Sequence, residues 1–325
     1  MDKRLMVGGQ AVIEGVMMRS PGHTATAVRD PEGHIKVQVK EIESFSDRHP
    51  VFKKPFLRGV VSLIESLVIG IRSLSYSAQM AGDEGEQLTD REMAMTILAA
   101  FAFAAVLFIA IPTGAAKLFA GITDDPVFLN LMEGLLRLLI FLAYIWGISM
   151  MKDIHRVFEY HGAEHRTIRC YESGLPLTVE NVQKFSRFHP RCGTSFLLIV
   201  MIVSIFVFAF LGWPNLVERI LSRVLLLPVV AGISYEVIRF SAKSKSRIVH
   251  LFVLPGLWLQ HITTNPPKDD MAEVAIESLK AVLPPDEILE GSSDYIALSE
   301  GNAGDVNEDG SVDPSVTSEG VTGIA

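Results

Sequence analysis

The chain has 325 residues, enough for a sizeable core and at most two domains. Its 49% apolar content is ordinary in amount but gathered into long uncharged runs, and two cysteines, Cys170 and Cys192, imply no disulfide framework. The net charge of −8 sits in the tail, where residues 285–325 hold ten acids and no Lys or Arg; without them the chain is +2, so nothing points to a nucleic-acid footprint.

Residues 1–50 read as a small β-rich cytosolic unit. Met1–Gly15 lacks the apolar stretch of a secretory signal, so the N-terminus is expected in the cytosol. Gln10–Met18, Thr24–Val28 and His34–Ile42 read as strands. The last two form a hairpin across Asp30-Pro31-Glu32-Gly33, where Pro presets φ and Gly closes the turn. Such a sheet is too thin to stand alone and must pack on something else. The glycines of Gly8–Gly15 have the wrong spacing for a dinucleotide fingerprint.

Residues 51–92 read as an amphipathic helix and a linker. Leu57, Val60, Val61, Ile64, Leu67, Val68, Ile71 and Leu74 recur at helical spacing, opposite Ser62, Glu65, Ser66, Arg72 and Ser73. The pattern fits an interfacial helix and a core-facing helix of a soluble domain equally well.

Residues 93–268 read as a membrane domain, giving a mainly α membrane protein of about four transmembrane helices. Met93–Ile111 and Phe196–Trp213 are uncharged runs of a length that spans a bilayer core. The first span is expected to end at a break over Pro112–Gly114. The second covers about Phe128–Met150, with Glu133 and Arg137 spaced to pair near its entrance. The fourth, about Leu216–Ile238, is weaker because Glu218, Arg219 and Arg223 occupy its first turns. Ile248–Leu259 is too short to cross. Basic residues gather in 151–195 and after Ile238, whereas the loops at 120–127 and 213–215 have none. By the positive-inside rule both termini and segment 151–195 are expected to face the cytosol of a multi-pass protein in the plasma (inner) membrane, with the lipid bilayer as an expected partner.

The sharpest signal lies in 151–195. His161-Gly162-Ala163-Glu164-His165 puts two histidines four apart on one helical face, so both can reach one divalent ion, here expected to be a single zinc. Glu164 lies beside them, placed to act as general base toward a metal-activated water. A catalytic zinc needs a third protein ligand. Glu236 is preferred narrowly, since two histidines and a carboxylate leave a position open; His189 and Cys192 of the His-Pro-Arg-Cys turn are the competing source. Arg191 or Arg166 suits developing negative charge, and His155 and Glu159, on the same helix, suit hydrogen bonds that orient the ligands.

Residues 269–284 read as a short helix and 285–325 as a disordered acidic tail. Asp305-x-Asn307-x-Asp309-Gly310 begins like a calcium loop but has Val316 where a bidentate acid belongs.

Several stretches together resemble the YqhQ-like bacterial family: Gly8–Arg19, Tyr160–His165, His189–Ser195, and Pro255-Gly256-Leu257 with Gln260 and Thr263-Thr264. The match covers roughly residues 5–280, and the tail lies outside it. The resemblance implies a multi-pass membrane protein described as a predicted metal-dependent enzyme, with no substrate attached. It implies that these stretches converge on one site, with Glu14 an outside candidate for ligand or acid. The expectation is therefore a cytosol-facing, membrane-embedded metal-dependent hydrolase acting on an unknown cytosolic substrate, peptide or amide bonds first. The rival is a non-enzymatic membrane scaffold or transporter accessory whose polar cluster is structural. Mid-membrane polar groups, which a transporter needs, are nearly missing from spans one and three.

Overall fold

The computed structural model describes residues 4–82, 89–243, 254–288 and 297–299. The chain is mostly helical, with an antiparallel meander at its N-terminus: β1 (Gly8–Val12), β2 (Gly15–Ser20), β3 (His23–Arg29) and β4 (Ile35–Glu41). A short β5 (Ala297–Ser299) adds in parallel to β4. The rest of the tail, 289–296 and 300–325, lies outside the described residues, as does the calcium-like loop.

The expected strand Gln10–Met18 is two strands. Val12 pairs with Gly15, so the chain reverses over Ile13 and Glu14, and Glu14 takes a positive φ of 50°. A Cβ on Gly15 would lie 2.2 Å from the Ala27 carbonyl oxygen, so only glycine lets β2 sit this close to β3 there.

Both faces of the sheet are covered. On one side Val16, Met18, Ala25, Ala27 and Val37 pack against α6 (Lys152–Ser173) and α11 (Asp269–Lys280), through Tyr160, Ala163, Met271, Val274, Ala275 and Leu279. Side chains alternate along a strand, so Met17 and Val28 point the other way, onto α2 (Leu57–Ala81). Ser73 of α2 accepts from Thr26 at 3.2 Å, and Ser77 accepts from the Ile13 amide at 3.2 Å. The inner side of α2 thus combines the buried Ser73 and Ser77 with Ile69, Tyr76, Met80 and Ala81, while Ile64, Leu67, Val68 and Leu74 of its apolar stripe, and Leu63 beside them, are exposed. Phe56, at φ 72°, turns the chain into α2 and seats its ring against Gly232.

The remaining helices form an apolar bundle: α3 (Asp90–Ala105), α5 (Pro126–Ser149), α8 (Gly193–Ala209), α9 (Leu216–Lys243) and α10 (Leu254–Thr263). No break falls at Pro112. A π turn at Val106–Ala110 carries α3 into α4 (Ile111–Ala115), and the wider turn accommodates the missing proline N–H. Among the described residues two helices, Arg91–Ala115 and Pro126–Ser149, are long and apolar enough to cross a membrane. Along the first, Leu98, Phe101, Phe103 and Val106 are exposed. The sequence led us to expect four such helices. Among the described residues α8 is an apolar helix of 17 residues, and α9 carries Glu218, Arg219 and Arg223 in its first turns.

Candidate metal centre

The site lies where α6, β1 and the turn before α8 meet. One helical turn separates His161 from His165, and their rings stand 4.4 Å apart, edge to face. Each ring is turned by a backbone carbonyl. His161 Nδ1 donates to the Thr263 oxygen at 2.7 Å, and His165 Nδ1 donates to the Arg187 oxygen. A carbonyl only accepts, so Nδ1 carries the proton and each Nε2 keeps a free lone pair. Both lone pairs meet the Cys192 thiol. His161, His165 and Cys192 hold one ligand atom each within 4.8 Å of one another, with His161 Nε2 3.2 Å from Cys192 Sγ. Four ligands around a zinc ion lie about 3.3–3.8 Å apart, from Zn–N near 2.0–2.1 Å and Zn–S near 2.3 Å, so a small adjustment would serve.

Glu164 is 4% exposed, beside this group, with its carboxylate 3.8 Å from His161 Nε2. It accepts from the Gly9 amide of β1. A Cβ on Gly9 would lie 2.5 Å from the Met17 carbonyl and 3.2 Å from Glu164 Cγ, which is why glycine stands there. Burial pushes the Glu164 carboxyl up from its usual range, against the pull of His161, His189 and the Gly9 amide. Burial likewise pushes His165 down, favouring the neutral ring that a metal ligand must be. A cavity of about 290 Å³ opens over the group, lined by Gly8–Ala11, His161, Glu164, His165, Arg191, Cys192 and Thr194.

Glu236 does not join the group. Arg58 of α2 takes both its carboxylate oxygens, at 2.8 and 2.6 Å, and the Phe56 amide adds a third bond at 3.2 Å. His189 lines the cavity, but its Nδ1 accepts from the Arg191 amide at 3.3 Å, which leaves the proton on Nε2, 3.7 Å from Glu172. Its lone pair is spent. Burial pushes His189 down in pKa. Burial also pushes up on Glu172, yet His189 and Arg191 outweigh it and hold that carboxyl below its usual value. Arg191 reaches the cavity wall with its guanidinium paired to Glu172. Arg166 is bonded to Gln183. His155 contacts Asn265 at 3.2 Å, so the orienting role expected of His155 and Glu159 falls to the Thr263 and Arg187 carbonyls. Glu14, at its tight turn, is held by Arg156 and accepts from the Tyr160 hydroxyl at 3.3 Å.

Two residues of the resembling stretches, given no role from the sequence, also matter. Gln260 of α10 clamps the His-Pro-Arg-Cys turn: it accepts from the His189 amide and donates to the His189 carbonyl, both at 2.8 Å, and donates to Ser195 Oγ at 2.9 Å. Gly162 lets residues 263–265 approach α6.

The 54–285 segment matches the family model described as "Protein of unknown function (DUF1385)". The chain belongs to the DUF1385 family. It is 40% identical over 291 residues to "Uncharacterized protein YqhQ" of Bacillus subtilis (strain 168), covering 85% of this chain and 92% of that one. No solved structure matches. The DUF1385 match takes in His161, Glu164, His165 and Cys192, whereas β1–β4, which carry Gly9, precede it.

The two thiols are expected to differ in reactivity. Burial pushes the Cys170 thiol up to about 11, so at pH 8 only about one in a thousand is ionised. Cys192 lies on the cavity wall. N-ethylmaleimide at pH 8, followed by peptide mass mapping, is expected to modify Cys192 and spare Cys170. Faster labelling of Cys170 would contradict this packing.

Proposed function

We propose that the protein is a metal-dependent hydrolase embedded in the membrane, its site facing the cytosol, acting first of all on peptide or amide bonds. The observation that carries the reading is the convergence of two carbonyl-locked imidazoles and a thiol beside a buried carboxylate at the floor of a cavity.

The donor set fits zinc: two neutral imidazoles and a thiolate make three ligands and leave a fourth position toward the cavity. Cys192 replaces Glu236 as third ligand in this proposal. A bound ion would supply Lewis acidity toward a carbonyl and ease the loss of a proton from water. The chain's own residues do the rest. Glu164, raised in pKa and held by the Gly9 amide, accepts a proton from water and returns it to the leaving nitrogen. Thr263 and Arg187 keep the imidazoles in one tautomer, and Gln260 fixes the turn that presents Cys192. Arg191 places positive charge at the wall, tethered by Glu172.

The membrane part of the reading is a four-span topology with the 120–127 and 213–215 loops outside and both termini in the cytosol. It is supported by the two long apolar helices, the basic segment 151–195 and the outward apolar stripe of α2.

Metal content of detergent-purified protein tests this. About one zinc per chain is expected in the wild type, lost in His161→Ala, His165→Ala and Cys192→Ala, and kept in Glu164→Gln and Glu236→Gln. Absence of metal after zinc addition would sink the enzyme reading and leave a scaffold. Loss of zinc in Glu236→Gln alone would restore the carboxylate ligand.

A further inference from the structure

A second cavity, of about 850 Å³, abuts the candidate metal centre and shares Arg191, Cys192 and Gly193 with the first. It runs between α2, α8 and α9. Its apolar lining is Met6, Leu63, Phe196, Tyr235 and Ile238, joined by Ser62 and Ser66. Arg191 and Arg239 are the charged residues of that lining, which contains no acid. Counting their neighbours Arg58, Glu236 and Glu172, the surroundings still carry one net positive charge. Sites for small apolar ligands run about 300–1,000 Å³, so the volume suits a single acyl chain. Leu63 is itself exposed and adjoins the outward stripe of α2 at Ile64 and Leu67. A hydrophobic path thus leads from the exposed face of α2 to the thiol of Cys192.

We propose that this cavity holds a single-chain anionic amphiphile whose amide or ester link reaches the candidate metal centre. The proposal rests on the hydrolase reading above and names its substrate class. The chain lies against Leu63, Phe196 and Ile238, and Arg239 and Arg191 meet the anionic group. In the amide case, water's oxygen bonds to the acyl carbon and the C–N bond breaks. The proton taken up by Glu164 passes to the leaving nitrogen, giving a fatty acid and an amine.

The test uses full-length protein in phosphatidylcholine nanodiscs and N-hexadecanoylglycine bearing a mid-chain diazirine, with the neutral N-hexadecanoylethanolamine analogue beside it. Photolabelling is expected at Leu63, Phe196 and Ile238. It should fall about ten-fold for the neutral analogue and in Arg239→Gln, each of which removes one charge pair, and likewise in Ser62→Trp, which plugs the cavity. Equal labelling by both probes and in both variants, or labelling confined to Ile64, Leu67 and Val68, would overturn the proposal. So would protection by an apolar peptide with none by unlabelled N-hexadecanoylglycine. Zinc is measured on the same samples. Zinc without cavity labelling overturns the amphiphile and leaves the hydrolase reading standing; specific labelling without zinc overturns the hydrolase and leaves the lipid site.

Discussion

Replacing Glu133 by leucine is expected to cost the folded protein about 3–5 kcal/mol, seen as a large fall in its thermal midpoint in detergent. The carboxylate is 1% exposed and bonds four times: Oε1 accepts from Arg137 Nη2 at 2.7 Å, Arg223 Nε at 2.8 Å and Thr113 Oγ1 at 3.1 Å, and Oε2 accepts from Arg223 Nη2 at 3.1 Å. Arg223 is 2% exposed, so the leucine variant strands two buried guanidiniums. Asn130 takes one further Arg223 bond, at 2.6 Å, which is too little to hold the charge. The double variant Glu133→Leu/Arg223→Leu removes one stranded charge with the acid and is expected to recover part of the loss. An unchanged midpoint in the single variant would show that this carboxylate does not tie α4, α5 and α9 together.

Gly162→Val is expected to damage the candidate centre without touching a ligand. A Cβ on Gly162 would lie 2.0 Å from the Asn265 carbonyl oxygen, which is backbone and cannot rotate aside. Residues 263–265 would have to retreat, yet Thr263 supplies the carbonyl that fixes His161, and the Asn265 amide bonds Phe158 at 2.8 Å. Loss of an orienting partner weakens a metal ligand by about 10–100-fold in affinity, and overpacking adds about 1–3 kcal/mol of destabilisation. Zinc titration against a chromophoric chelator reads the first and thermal unfolding the second. Gly147→Ala, where a Cβ meets nothing within 4 Å, is the control expected to change neither. Wild-type zinc affinity in Gly162→Val would show that the Thr263 carbonyl does not govern His161.

Helical spacing made the His161–His165 pair legible, because four residues is a local distance. Which side chain joins them was narrowed only to Glu236 or to the His189 and Cys192 turn. Whether Glu236 or Cys192 meets them depends on which neighbour each finds, and Arg58, 178 positions away, takes Glu236. The stripe on α2 was visible as well, but not which side faces inward. The sheet face takes Ile69, Tyr76 and Met80 against Met17 and Val28 and pairs Ser73 with Thr26, a mixed side that leaves Ile64, Leu67, Val68 and Leu74 outside. The Ile13–Glu14 reversal left little trace, since glutamate is a poor marker for a positive φ and the β-like pattern runs on through it. At Pro112 the breaker was real, but a π turn absorbed it.

The N-terminal meander is made first and covered last. Its inner face is covered by α11, which begins at Asp269, whereas β4 ends at Glu41. At about 5–20 residues per second, a ribosome needs roughly 10–45 s to close that gap. For that time the strands must wait beside a nascent bundle with Val16, Met18 and Val37 uncovered by α11. Thr263, which sets the tautomer of His161, also emerges near the end. The orientation of the His161 ring is therefore completed late in synthesis, about a hundred residues after His161 itself has been made.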